Sequence, residues 1–235
     1  KLLEEGRGKP TEPPAQAGMN RFVWDLRYEG VERFSGLTIW NRNLEGPMAL
    51  PGRYQIRLTV DGTAQTAPFW ILPDPRSDAT TEDLRAQFDF LIDARDRLSA
   101  VHRAIRRSRD VRTQLEALAD RSAGDAWRDL RIAARALGKK LTKVEEALYQ
   151  TQNRSPQDPL NYPIRWNDKL AGVAGLVALG NARPTTQAIA VRDEITHGID
   201  AELSTLATLL TTDLAAFNDQ VRAQGVPPIS VPDLP

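Results

Sequence analysis

The chain has 235 residues, of which 41% are hydrophobic and 26% charged, the balance of a soluble globular protein large enough to bury a core. Its 31 basic and 31 acidic residues cancel, so no overall field draws it to nucleic acid or to an anionic membrane. Having no cysteine, it has no thiol chemistry, no disulfides and no cysteine metal site.

Residues 1–17 hold Gly6, Gly8, Pro10, Pro13 and Pro14 and read as a loop with at most a short strand at its start. The chain opens on Lys1 rather than Met, and no signal peptide or apolar run of bilayer length follows. That opening suggests a fragment of a longer protein. From Asn20 to Arg27 the residues alternate, Phe22, Trp24 and Leu26 against Val23, Asp25 and Arg27, which predicts a half-buried strand with Trp24 in the core. A shorter strand is expected over Leu37–Trp40. Arg53–Val60 alternates more cleanly, with Tyr54, Ile56, Leu58 and Val60 on one face. Asp61-Gly62 then suits a tight hairpin turn, because both central residues need positive φ. Thr63–Leu72 returns as the partner strand.

Composition changes near residue 75, where Pro73-Asp74-Pro75 makes a stiff joint. Two domains are therefore expected, a β domain over 1–75 and a helical one over 76–235. Thr80 and Asp83 form a capping pair for a helix of about 40 residues, roughly 60 Å long, with a bend possible near Ser108. Its stripe is Leu84, Leu91, Leu98 and Ile105, continued by Val111, Leu115 and Leu118. A second helix from near Asp125 carries Leu130, Ala134, Leu137, Leu141, Val144 and Leu148. Pro163 opens a short third helix bearing Trp166, Leu170, Val173 and Val177. Thr185 caps a fourth with Ile195, Ile199, Leu203, Leu206, Leu210, Leu214, Phe217 and Val221 as its seam.

The search for chemistry yields no catalytic, cofactor-binding or metal-ligating residue. His102 and His197 fall on different helices and do not make a zinc set. Asp89, Asp93 and Asp96 sit beside Arg95 and Arg97, the pattern of a solvated face. His102, Arg103, Arg106, Arg107, Arg109 and Arg112 lack the interleaved aromatics of a nucleic-acid site and are expected to pair with acidic residues of the bundle. Asn153-Arg154-Ser155 matches a glycosylation sequon, but Pro156 follows. No nucleophile elbow or phosphate loop occurs.

One block is distinctive. Asn20-Arg21-Phe22-Val23-Trp24-Asp25-Leu26-Arg27, Gly46-Pro47, Pro51-Gly52-Arg53-Tyr54, Asp74-Pro75-Arg76 and Leu160-Asn161-Tyr162-Pro163-Ile164 together resemble the C-terminal region of bacterial sortilin-like or BNR-repeat glycosyl hydrolase proteins. That family carries a β-propeller, then an Ig-like domain similar to that of flagellar hook-capping proteins, then helices. The resemblance implies an α+β chain: a partial Ig-like antiparallel β-sandwich with N-terminal strands missing, followed by an antiparallel four-helix bundle. It further implies an exported setting, periplasmic, cell-surface or secreted. It transfers no catalytic residue. The expected function is a non-catalytic structural and interaction module that pairs, at an open sheet edge, with the upstream propeller portion or another polypeptide. The alternative is a carbohydrate-binding accessory module, its tryptophans stacking on a glycan. Only about four strands are legible between residues 18 and 72, against about seven in an Ig sandwich, so the sheet is expected to leave an edge and part of an apolar face uncovered.

Overall fold

The computed structural model describes residues 13–40, 44–122, 124 and 127–232. It mixes helix and strand: a two-stranded antiparallel sheet precedes a set of helices packed on one another. Strand β1 (Gly52–Val60) pairs with β2 (Thr63–Ile71). Helices α1 (Thr81–Arg121), α2 (Arg128–Leu148), α3 (Trp166–Val177), α4 (Thr186–Thr208) and α5 (Leu214–Ala223) follow, the last two joined through one π turn (Leu209–Asp213).

The helix starts have local causes. Thr80 Oγ1 accepts the Asp83 N–H, and the Asp83 carboxylate returns to the Thr80 N–H, a complete capping box. Asp83 is held down to about 2, first by the Thr80 hydroxyl and then by Arg183. Thr185 Oγ1 caps α4 in the same way at Ala188. α2 begins at Arg128; the expected start near Asp125 lies outside the described residues, as do residues 1–12 of the expected N-terminal loop.

The core is the apolar face of these helices. Leu98, Ile105, Leu115, Leu141, Leu148, Leu170, Ile199 and Val221 are fully buried. Leu84 and Leu91, placed on the α1 stripe by heptad spacing, are half-buried, and Gln87, Phe90 and Ala94 take the inner face over those turns. The π turn also has a reason. Leu209 and Leu214 are five residues apart and both buried, and the Leu214 N–H reaches the Leu209 carbonyl. The widened turn absorbs one residue and keeps the apolar row of α4 and α5 on the core.

Two expected strands do not form. Residues 20–27 make only one bridge, Arg27 to Met48, and Leu26 sits at φ +63. A left-handed residue inside the run destroys the alternation that a strand requires. Leu37–Trp40 is likewise irregular. The two strands described thus replace the expected four.

Residues 28–40 and 44–49 instead form two arms of a strap across the helices. Its arms close through Tyr28 N–H to the Pro47 carbonyl, Val31 N–H to the Leu44 carbonyl and Ala49 N–H to the Leu26 carbonyl. Glycine is required where they cross: a Cβ on Gly46 would lie 2.0 Å from the Tyr28 oxygen. Val31, Phe34, Ile39 and Leu44 are buried in the same core as the helices. The strap's backbone is satisfied by helix side chains. Tyr149 Oη accepts the Thr38 N–H and donates to the Gly36 carbonyl; Asp168 accepts the Trp40 N–H; Ser99 accepts the Glu32 N–H. Buried apolar area and satisfied polar groups therefore bind this irregular segment, with no ladder of its own.

Candidate functional site: an uncovered hairpin

In the β-hairpin, sequence and burial disagree. Asp61 and Gly62 have φ of +48 and +79, the two positive values of a type I′ turn, which matches the twist of the strands it joins. The register sets Tyr54 opposite Phe69, Ile56 opposite Ala67, Leu58 opposite Gln65 and Val60 opposite Thr63. Since side chains alternate, these residues share one face, and Arg53, Gln55, Arg57 and Thr59 share the other with Trp70, Pro68, Thr66 and Ala64. The first face is apolar and yet open: Ile56, Leu58 and Val60 are 57%, 55% and 57% exposed. Beyond its base the hairpin rests on no described element.

The base is anchored by aromatics. Trp24, 38% exposed rather than in the core, meets Tyr54 and Phe69 edge-on at 6.3 and 6.4 Å, and Tyr54 and Phe69 stack at 5.8 Å across the ladder. Trp24 Nε1 donates to the Arg27 carbonyl and Tyr54 Oη to the Leu50 carbonyl. Burial, with Tyr28 nearby, raises the Tyr54 hydroxyl above its ordinary range and keeps it a donor. Tyr28 meets Phe88 of α1 edge-on at 5.1 Å and ties this corner to the helices. The Asn-Arg-Phe-Val-Trp-Asp-Leu-Arg block thus braces the foot of the hairpin instead of forming a strand beside it.

Below the hairpin lies a cleft of about 350 Å³, between the strap, the N-terminal half of α1 and the C-terminal end of α3. Leu26, Met48, Ile71, Leu84 and Phe88 give it apolar walls. Two of its polar side chains are engaged: Gln87 Nε2 donates to the Val177 and Gly180 carbonyls, and Arg95 holds Asp96 and the Glu29 carbonyl. No acid, base and nucleophile converge there.

The other residues weighed from sequence fall into structural places. His102 is wholly buried, with Nδ1 at the Glu32 carbonyl and Nε2 facing the Asn167 amide, while His197 is exposed on α4. Burial pushes His102 down to about 4. Asp93 pairs with Arg97 and Asp96 with Arg95, and Asp89 is exposed. Four of the arginines in the basic stretch turn toward acids: Arg103 and Arg106 toward Glu32, and Arg109 and Arg112 toward the buried Glu145, each of the latter two 2.7 Å from one of its oxygens, whereas the Arg107 Nε is buried with no hydrogen-bond partner among the described residues. Asn153 of the sequon is buried and donates to the Thr38 carbonyl, so its amide nitrogen is not presented to solvent. Among the described residues no group of three or more His, Cys, Asp or Glu is placed to hold a metal ion, and no helix is long and apolar enough to cross a membrane.

Sequence reasoning missed the strap and its anchors, Tyr149, Asp168 and Ser99. A lone buried tyrosine at a helix end carries no periodic signal. Comparison with models of protein families, with curated proteins and with solved structures finds no match to this chain.

Proposed function

We propose that this chain is a non-catalytic structural and interaction module of a larger exported protein of the sortilin-like, BNR-repeat kind. In this reading the helices act as a four-helix-bundle support, and the hairpin is part of an Ig-like sandwich completed by strands from outside the chain. The partner is the upstream propeller portion of the protein, and the setting is periplasmic, cell-surface or secreted. The observation that carries the proposal is the open apolar face of Ile56, Leu58 and Val60 on a two-stranded ribbon. An isolated hairpin is marginal in water, and a protruding apolar face signals an interaction surface. The Asn20–Arg27 and Pro51–Tyr54 blocks support the family half of the proposal.

The test is association with the upstream polypeptide of the gene product, produced separately. The chain should co-elute with it, and Ile56→Ser with Leu58→Ser should abolish co-elution while leaving the melting temperature of the chain alone unchanged. Failure to associate, or association untouched by the double substitution, refutes the proposal.

Exposed indoles favour one second reading, a carbohydrate-binding accessory module, since Trp70 and Trp40 present 66% and 48% of their surface. Glycan-array binding that Trp70→Ala removes would favour it over the first.

A further inference from the structure

We propose that the hairpin takes its additional strand at the outer edge of β1, and that this strand comes from the upstream portion rather than from a second copy of the chain and alternates apolar with acidic residues. The inference rests on the interaction reading above and specifies its partner.

The edge follows from the turn. A two-residue type I′ loop is closed by a hydrogen-bonded pair, here Val60 and Thr63, and hydrogen-bonded and non-hydrogen-bonded pairs alternate from there. Val60–Thr63, Leu58–Gln65, Ile56–Ala67 and Tyr54–Phe69 therefore exchange bonds within the hairpin. The backbone groups of Arg53, Gln55, Arg57 and Thr59 point outward from β1, and those of Ala64, Thr66, Pro68 and Trp70 point outward from β2. Proline has no N–H, so Pro68 interrupts the outer edge of β2 at its middle and costs the hairpin nothing, because its partner Gln55 belongs to a non-hydrogen-bonded pair. Edge proline is a recurrent device against strand addition. The edge of β1 is uninterrupted from Arg53 to Thr59.

The chemistry of the strand follows from the two faces. An added strand in phase sets its apolar residues beside Tyr54, Ile56 and Leu58 and extends the open face. Its alternate residues lie beside Arg53 and Arg57, both exposed and neither in an ion pair with a described residue. Asp or Glu at those positions complements them. In the registers that pair the middle of the edge, the same charges argue against a second copy. Antiparallel self-pairing centred on Gln55 sets Arg53 opposite Arg57 twice. Centring on Arg57 sets it against itself, and centring on Ile56 leaves the arginines on adjacent diagonals. Like charges so placed weaken a sheet.

The probes are two nine-residue peptides, one alternating Val with Glu and one alternating Val with Lys, titrated into the whole chain by NMR. The Val/Glu peptide should shift the amides of Gln55, Arg57 and Thr59 rather than those of Ala64 and Thr66, with at least tenfold tighter binding than Val/Lys. Gln55→Pro removes one outward N–H from β1 and should weaken binding at least tenfold. Thr66→Pro, the equivalent change on β2, should leave it unaltered. Arg57→Glu should reduce or reverse the peptide preference. Melting curves confirm that each variant folds, and a variant whose hairpin is lost is replaced by the same peptide carrying N-methyl groups on its pairing edge, which should not bind. Equal losses from both prolines, equal binding of the two peptides, or no binding by either overturns the proposal. Self-association abolished by Gln55→Pro would assign the edge to a second copy and overturn it as well. None of these outcomes touches the broader interaction reading, which falls if the chain fails to associate with the upstream polypeptide or if the Ile56/Leu58 substitutions leave that association intact.

Discussion

Acidification of the chain should expose the buried imidazole of His102. The ring has no exposed surface, and the groups around it are settled. Glu32 offers its carbonyl to Nδ1 and keeps its carboxylate on Arg103 and Arg106; Arg33 adds positive charge; Asn167 faces Nε2; Phe34 packs edge-on at 5.1 Å. Burial is the main cause of the depressed value of about 4, against the ordinary 6.5. Between those two pH values the unfolded chain binds a proton that the fold refuses. Unfolding free energy therefore stays level above about pH 6.5 and declines as pH falls toward 4. The full gap corresponds to about 3 kcal/mol, most of it spent by pH 4.5. Carboxylates also titrate in that range, so the wild type must be read against His102→Gln, which lacks the imidazole. Urea unfolding followed by circular dichroism from pH 7.5 to 4.5 supplies both curves. The variant is the less stable at pH 7.5, and its deficit should shrink by about 2–3 kcal/mol by pH 4.5. A deficit that stays constant or grows refutes the reasoning.

Leu141, fully buried on α2, should lose about 2–5 kcal/mol on replacement by Ala, and an unmoved melting curve would show that α2 presents another face. At Gly198 of α4 an added Cβ would stand 2.7 Å from the Trp166 indole, which also carries the Lys169 ammonium 4.5 Å from its ring centroid. Gly198→Ala should destabilise by about 1–2 kcal/mol, overpacking outweighing the helix propensity gained, and should shift tryptophan emission; a higher melting temperature would contradict that packing.

The elements with a period were legible. The capping box at Thr80, the hairpin turn at Asp61-Gly62, the length of α1 and the seams of α2 and α4 all come from local spacing, and local spacing is what the backbone obeyed there. Residues 20–49 misled for the same reason. Phe22, Trp24 and Leu26 alternate, but a strand needs a neighbour with which to pair, and only Met48 is bridged. Val31, Phe34, Ile39 and Leu44 reach the core at irregular intervals, held by Tyr149 and Asp168 from distant helices, and no pattern along the chain announces such partners. The candidate surface was half legible: alternation gave its apolar face, whereas its lack of cover is a property of the folded molecule.

The most direct test of the account is hydrogen exchange at the outward-pointing amides of β1 in the chain alone and in the presence of the upstream polypeptide. The account predicts rapid exchange at Gln55, Arg57 and Thr59 in the chain alone and slowing by at least a hundredfold in the complex, with α1 and α2 unchanged. Equal exchange in both states would contradict it.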